Sequence, residues 1–150
     1  MPHKIMIVAG EASADLHASN LVRELKTLEP GIEIYGVGGE KLKAAGANIW
    51  FDFSRASVVG LLEAVPKLKF YWDARNRLLE SIAAEKPDLI VLMDLPGFNL
   101  HLSRKIKERY PGQKIVYYIV LIQKRGNVVI VLFLNGLETE ITKCSRCNGK

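Results

Sequence analysis

The chain has 150 residues, with 21 basic against 16 acidic side chains, a net charge of +5 and 49% apolar residues. That length suits one domain with a core of its own, and no apolar run reaches the roughly 20 residues a membrane-spanning helix needs. The basic residues are dispersed and match no nucleic-acid-binding pattern, so the charge reads as a mildly basic surface or as attraction to an anionic lipid or phosphorylated substrate.

Lys4–Ala9 is a short apolar run that reads as a buried strand, broken at Gly10. Ser13 and Asp15 are helix-starting residues, and Leu16, Leu21, Val22 and Leu25 follow at helical spacing. A helix is therefore expected over 15–28, stopped by Pro30-Gly31. Glu33–Val37 predicts a second strand, closed by Gly38-Gly39, whose backbones take geometry that other residues resist. A short helix over 40–45 is capped by Gly46, and Ala47–Phe51 predicts a third strand. Val58–Val65 reads as a short apolar helix, and Pro66 sits at a first-turn position of a long helix reaching Glu85. Leu89–Met93 is a continuous apolar run, the fourth strand. Asp94 follows its carboxyl end, Pro96 and Gly97 enforce a tight turn, and Asn99 is placed to cap a helix to about Tyr110. Lys114–Tyr118 predicts a fifth strand.

Strands alternating with helices argue an α/β fold, a doubly wound Rossmann-like parallel sheet, over 1–118. Residues 119–150 change character. Val128–Leu134 is apolar on both faces, uncharged and free of proline, an aggregation signature. Asn135-Gly136 between β-rich runs is a hairpin signal. The expectation is a divergent apolar tail: either a variant strand pair or out-of-frame sequence. Cys144 and Cys147 form a lone CxxC, and His3, His17 and His101 lie far from it in sequence, so chance or free thiols are expected rather than a zinc site. The residues after Met1 form a strand rather than a secretory leader, which gives a cytoplasmic expectation.

In an open α/β sheet, ligands bind where strands end and helix N-termini present free N–H groups. Both the Gly10–Asp15 loop and the Asp94–Asn99 loop belong to that edge. With one glycine and two carboxylates, the first suits hydroxyl groups or a sugar rather than a phosphate cradle.

These loops resemble a known family. Gly10-Glu11-Ala12-Ser13-Ala14-Asp15 is similar to the GExSGD signature of bacterial lipid-A-disaccharide synthases, with Ala14 where the signature has glycine. Gly36-Val37-Gly38-Gly39 followed by Gly46 resembles that family's second loop. Val59-Gly60-Leu61-Leu62-Glu63 resembles its MGxxEV element, and Asp94-Leu95-Pro96-Gly97-Phe98-Asn99 its DxPxFN loop. Four motifs in order are far more specific than any one, and the resemblance covers roughly residues 3 to 119. It implies the N-terminal, acceptor-side domain of a two-domain GT-B glycosyltransferase. Such an enzyme joins UDP-2,3-diacylglucosamine to 2,3-diacylglucosamine 1-phosphate and releases UDP. It would work from the cytoplasm as a peripheral protein at the inner face of the cytoplasmic membrane, with no cofactor or metal and no nucleic acid. A fragment lacking the donor half is expected to be inactive alone.

Glycosyl transfer to a hydroxyl needs a base at the attacking oxygen and hydrogen-bonding groups for the substrates. Asp94, at a strand end beside a sharp turn, is the catalytic candidate. Glu11, Asp15 and Glu63 are placed to bind acceptor hydroxyls, and Asn99 joins them as a substrate-binding candidate. Asp15 reads equally as a helix cap. Ser13 either donates to a phosphate or caps. His17 faces the cleft or solvent. The apolar segment from Val58 to Trp72 reads as helices packed on the sheet, or as an exposed face for acyl chains at a membrane. A non-catalytic glycolipid- or nucleotide-binding module is the alternative. A flavodoxin-like or epimerase-like protein sharing only the sheet is a third reading.

Overall fold

A computed structural model describes residues 2–51, 64–123, 126–135 and 138–144. The elements are β1 (Lys4–Ala9), α1 (Ala12–Leu28), β2 (Glu33–Val37), α2 (Glu40–Ala44), β3 (Asn48–Phe51), α3 (Ala64–Glu85) and β4 (Leu89–Met93). Then come α4 (Pro96–Arg109), β5 (Ile115–Gln123), β6 (Gly126–Asn135) and β7 (Glu138–Cys144). They build one sheet in the order β3-β2-β1-β4-β5-β6-β7. The first five strands are parallel, which is the expected Rossmann-like arrangement. β6 and β7 add antiparallel at the β5 side.

Strand residues alternate between two cores because successive side chains point to opposite faces. Met6, Val8, Ile90 and Leu92 pack beneath Ala74, Leu78 and Ile82 of α3 and Leu102 and Ile106 of α4. Ile5, Ile7, Val91 and Met93 pack on the other face, beneath Ala14, Ala18 and Val22 of α1 and Leu42 of α2. The central strands are covered on both faces, which is why they read as continuous apolar runs. β2 lies close against β1 at Gly36: its φ is +144°, and a Cβ there would run into the Ile7 backbone carbonyl.

Several boundaries depart from the sequence reading. α1 begins at Ala12, not at 15, with the extended Glu11 as N-cap. The Asp15 N–H already closes a helical bond onto the Glu11 carbonyl at 2.9 Å, which puts Asp15 inside the first turn. α4 begins at Pro96, where the missing N–H removes nothing a helix would use, so Asn99 is not its cap. α3 begins at Ala64 with Pro66 in its first turn. Residues 58–63 of the expected short helix, Glu63 among them, lie outside the described residues, as does Cys147. β5 runs past the expected limit at Tyr118 to Gln123, because it pairs with β4 up to Tyr118 and with β6 from Val116 to Gln123. The hairpin signal at Asn135-Gly136 corresponds to the antiparallel β6–β7 pair, with Asn135 opposite Glu138. Among the described residues no helix is long and apolar enough to cross a membrane.

Candidate active site

β1 and β4 are neighbours at the middle of the parallel sheet. β1 leads into α1 on one face and β4 into α4 on the other. This is the point where an open α/β sheet splits its connections and leaves a crevice at the strands' carboxyl ends. The two loops meet there: a Cβ on Gly10 would lie 2.6 Å from Leu95 Cδ2. Glycine at position 10 leaves room for the Leu95 side chain of the β4 loop against the end of β1.

The β4 loop is strained. Asp94 and Leu95 both have left-handed backbones, with φ of 49° and 45°. Such conformations cost of order 1–3 kcal/mol each and persist only where surrounding contacts over-determine them. Those contacts are present. The Asn99 amide donates through Nδ2 to the Met93 carbonyl at 3.1 Å and the Asp94 carbonyl at 2.6 Å. The Tyr117 hydroxyl donates to the same Asp94 carbonyl at 2.9 Å, and the Asp94 N–H donates to the Tyr118 carbonyl at 3.2 Å. Asn99 is fully buried, and its Oδ1 has no hydrogen-bond partner among the described residues. The Asp94 residue itself is half-buried. Burial, and then the nearby Asp94 charge, push the Tyr117 phenol up to about 12. Three of these bonds hold Asp94 at the crevice, and the fourth holds Met93 just before it. Tyr117 was not among the residues the sequence singled out; strand alternation placed it on the α4 face but gave no sign of its partner.

Asp15 has a different setting from Asp94. It is 7% exposed, and its carboxylate accepts from the backbone N–H groups of Gly39 at 2.7 Å, Lys41 at 3.1 Å and Leu42 at 3.1 Å. It caps α2 across the structure rather than its own helix. Gly38 and Gly39 follow from this: a Cβ on Gly39 would stand 2.8 Å from Asp15 Oδ2, and one on Gly38 2.5 Å from Leu42 Cδ2. The φ of Gly39 is an ordinary −105°, so the requirement is space, not the unusual backbone geometry that the sequence suggested. Glu11 and Ser13 are exposed and His17 is half-buried on the first two turns of α1. The structure thus brings Glu11 and Ser13 to the same sheet edge as Asp94 and turns the Asp15 carboxylate toward the β2–α2 loop.

Beside the crevice, α3 and the start of α4 border an open groove of about 490 Å³ lined by Tyr71, Trp72, Arg75, Leu95, Phe98 and His101, among others. Arg75 Nη1 lies 3.0 Å from His101 Nε2. A guanidinium only donates, so the ring nitrogen is the acceptor in this contact. Arg75 and His101 are 26 positions apart, and no local pattern joins them. Among the described residues no group of three His, Cys, Asp or Glu side chains is placed to hold a metal ion.

The fold is a doubly wound, Rossmann-like α/β domain, and its switch point is where such sheets bind ligands. The family described as lipid-A-disaccharide synthetase matches residues 5–121. The chain belongs to that family. It is 44% identical over 116 residues to lipid-A-disaccharide synthase 1 of Legionella pneumophila strain Lens, covering 77% of this chain and 30% of that protein. It is 46% identical over 115 residues to the lipid-A-disaccharide synthase of Syntrophus aciditrophicus, again 77% and 30%. With that of Myxococcus xanthus it shares 38% identity over 130 residues, 85% of this chain and 33% of the relative. The chain thus spans about a third of the length of the curated relatives it matches. A solved formyltetrahydrofolate deformylase from Burkholderia mallei superposes with a TM-score of 0.47 at 12% identity over 95% of this chain and 54% of that one, a likeness too loose to bear on chemistry.

Proposed function

We propose that the chain is the acceptor-side part of a glycosyltransferase that joins UDP-2,3-diacylglucosamine to 2,3-diacylglucosamine 1-phosphate. The observation that carries this reading is the Asp94 loop: a left-handed, four-times-bonded turn that sets a carboxylate at the crevice between β1 and β4. In the proposed step Asp94 takes the proton of the acceptor hydroxyl. The hydroxyl oxygen bonds to the donor's anomeric carbon, and the bond from that carbon to the diphosphate breaks with release of UDP. Glu11 and Ser13, exposed on the same edge, hydrogen-bond acceptor hydroxyls or phosphate. His17, further along α1, borders them. Asp15 and Asn99 act one step back, by holding the β2–α2 and β4–α4 loops.

The partner domain would grip the UDP, so the reaction belongs to the two parts together. The exposed Trp72 beside the apolar groove supports peripheral contact with the cytoplasmic face of the inner membrane. The test is Asp94→Asn in a complete two-domain enzyme carrying this half. The amide keeps the shape and cannot take the proton, so kcat is expected to fall about 10²–10⁴-fold with KM and Tm little changed. Near-normal turnover by a folded variant would remove Asp94 from the mechanism and pass the role to Glu11 or Asp15.

A further inference from the structure

Both backbone polar groups of Asp94 are held by the same two residues of β5. Tyr117 and Tyr118 are the last residues of that strand to pair with β4, opposite Leu92 and Met93. Just beyond that pairing the Asp94 N–H donates to the Tyr118 carbonyl at 3.2 Å, and the Asp94 carbonyl accepts from the Tyr117 hydroxyl at 2.9 Å. The first bond continues the strand ladder. The second comes from a side chain 23 positions away in sequence. The Tyr117 ring is 3% exposed and packs in the core beneath α3 and α4, so its neighbours fix where the hydroxyl stands. The phenol, pushed up to about 12 by burial and then by the nearby Asp94 charge, keeps its proton and donates.

The Asp94 carbonyl belongs to the rigid peptide plane that joins residues 94 and 95. The tilt of that plane sets ψ of Asp94 and φ of Leu95, and both residues are left-handed. Such a turn relaxes toward ordinary geometry by rotating the plane. Two donors oppose the rotation from different elements: Asn99 Nδ2 of α4 at 2.6 Å and the Tyr117 hydroxyl of β5. We propose that Tyr117 is a positioning residue for the transfer, its hydroxyl holding the 94–95 peptide plane so that the Asp94 carboxylate keeps its place at the crevice. This deepens the Asp94 reading above and rests on it. Tyr117 meets no substrate in this role and acts through Asp94.

The test is Tyr117→Phe, alone and combined with Asp94→Asn, in a complete two-domain enzyme carrying this half. Phenylalanine keeps the buried ring and loses only the bond. Alone, it should lower kcat about 10–100-fold with KM little changed, since a misplacement of about 1 Å can cost about 10²-fold. In the Asp94→Asn background the same change should cost less than about twofold, because no carboxylate remains to be placed. Tyr35→Phe is the control. Tyr35 is 6% exposed and its hydroxyl has no hydrogen-bond partner among the described residues, so this change removes a buried hydroxyl without removing a bond and should leave kcat unchanged. In the isotope-labelled chain itself, a positive φ brings the amide proton of residue 94 close to its own α-proton and gives a strong NOE. Tyr117→Phe should weaken that NOE, and Tyr35→Phe should not. An unchanged NOE in Tyr117→Phe would overturn the proposal. So would an equal loss of kcat with and without the Asp94 carboxylate, or full turnover by Tyr117→Phe where Asp94→Asn is impaired. Near-normal turnover by Asp94→Asn alone overturns the base reading instead, and the NOE then decides whether Tyr117 sets the turn.

Discussion

At the scale of single residues, Asp15 and Tyr117 hold loops that carry other groups. Asp15 satisfies three backbone N–H groups at the start of a five-residue helix that lacks a side-chain cap from its own N-cap residue. Asp15→Ala should therefore cost about 2–3 kcal/mol, because charge-assisted bonds are lost and the freed donors sit in a mostly buried place. For a chain of this size that is a Tm lower by about 5–10 °C; an unchanged Tm would show that water replaces the carboxylate without loss. Gly39→Ala should destabilise by the same route, through its clash with Asp15 Oδ2. Tyr117 gives a pH signature. Its folded phenol sits at about 12 against an ordinary 10.0, so the unfolded chain gives up the proton first as pH rises. The stabilisation is present in full below about pH 10 and is lost as pH climbs through about 12. Burial pushes Tyr35 in the same direction. Tyr117→Phe should lower stability at neutral pH by about 0.5–1.5 kcal/mol yet flatten the loss between pH 10 and 12. Urea midpoints across that range check both signs.

At the scale of elements, α3 presents two faces with different tasks. Ala74, Leu78 and Ile82 are buried against the sheet, whereas Trp72 is 57% exposed. Leu78→Ala should cost about 2–5 kcal/mol as a core truncation. Trp72→Ala should leave Tm within about 2 °C, as surface changes do, while weakening binding to anionic phospholipid vesicles in a sedimentation assay. Vesicle binding that survives Trp72→Ala would move the membrane contact elsewhere. Which elements the sequence exposed follows from the same division. β1 and β4 were legible to the residue because strands covered on both faces leave an almost unbroken apolar run, and β2 was bounded by Pro30-Gly31 before it and Gly38-Gly39 after it. Helix starts were not. Asp15 looks like a local cap, but the N–H groups it accepts from belong to Gly39 and the first turn of α2, and Asn99 looks like one while it bolts the loop before its own helix. The loop positions of Asp94 and Glu11 were readable from strand ends; the left-handed strain at 94 and 95, the Tyr117 hydroxyl bond and the pairing of Arg75 with His101 are tertiary contacts with no local signal.

At the scale of the whole molecule, the sheet is complete enough to form a crevice, yet the chain spans 30% of its Legionella relative. The family match ends at residue 121, two residues before β5 does, and the sheet continues into β6 and β7 in an antiparallel sense. We propose that the sequence beyond about 119 is out of the family's frame; sequencing the encoding DNA would find the family's next segment in another frame, and its absence there would make β6 and β7 a genuine variant. The same partition yields a prediction for function. Placing donor and acceptor together can supply about 7–11 kcal/mol of a two-substrate barrier. In the proposed enzyme the UDP grip lies in the other domain, so this chain alone should give no measurable UDP release from UDP-2,3-diacylglucosamine plus acceptor. Adding a separately expressed donor-binding domain should restore some release, in proportion to the domain added, and Asp94→Asn in this chain should abolish what is restored. Turnover by the chain without that partner would mean that the crevice between β1 and β4 binds both substrates by itself, and the division into acceptor and donor sides would have to be abandoned.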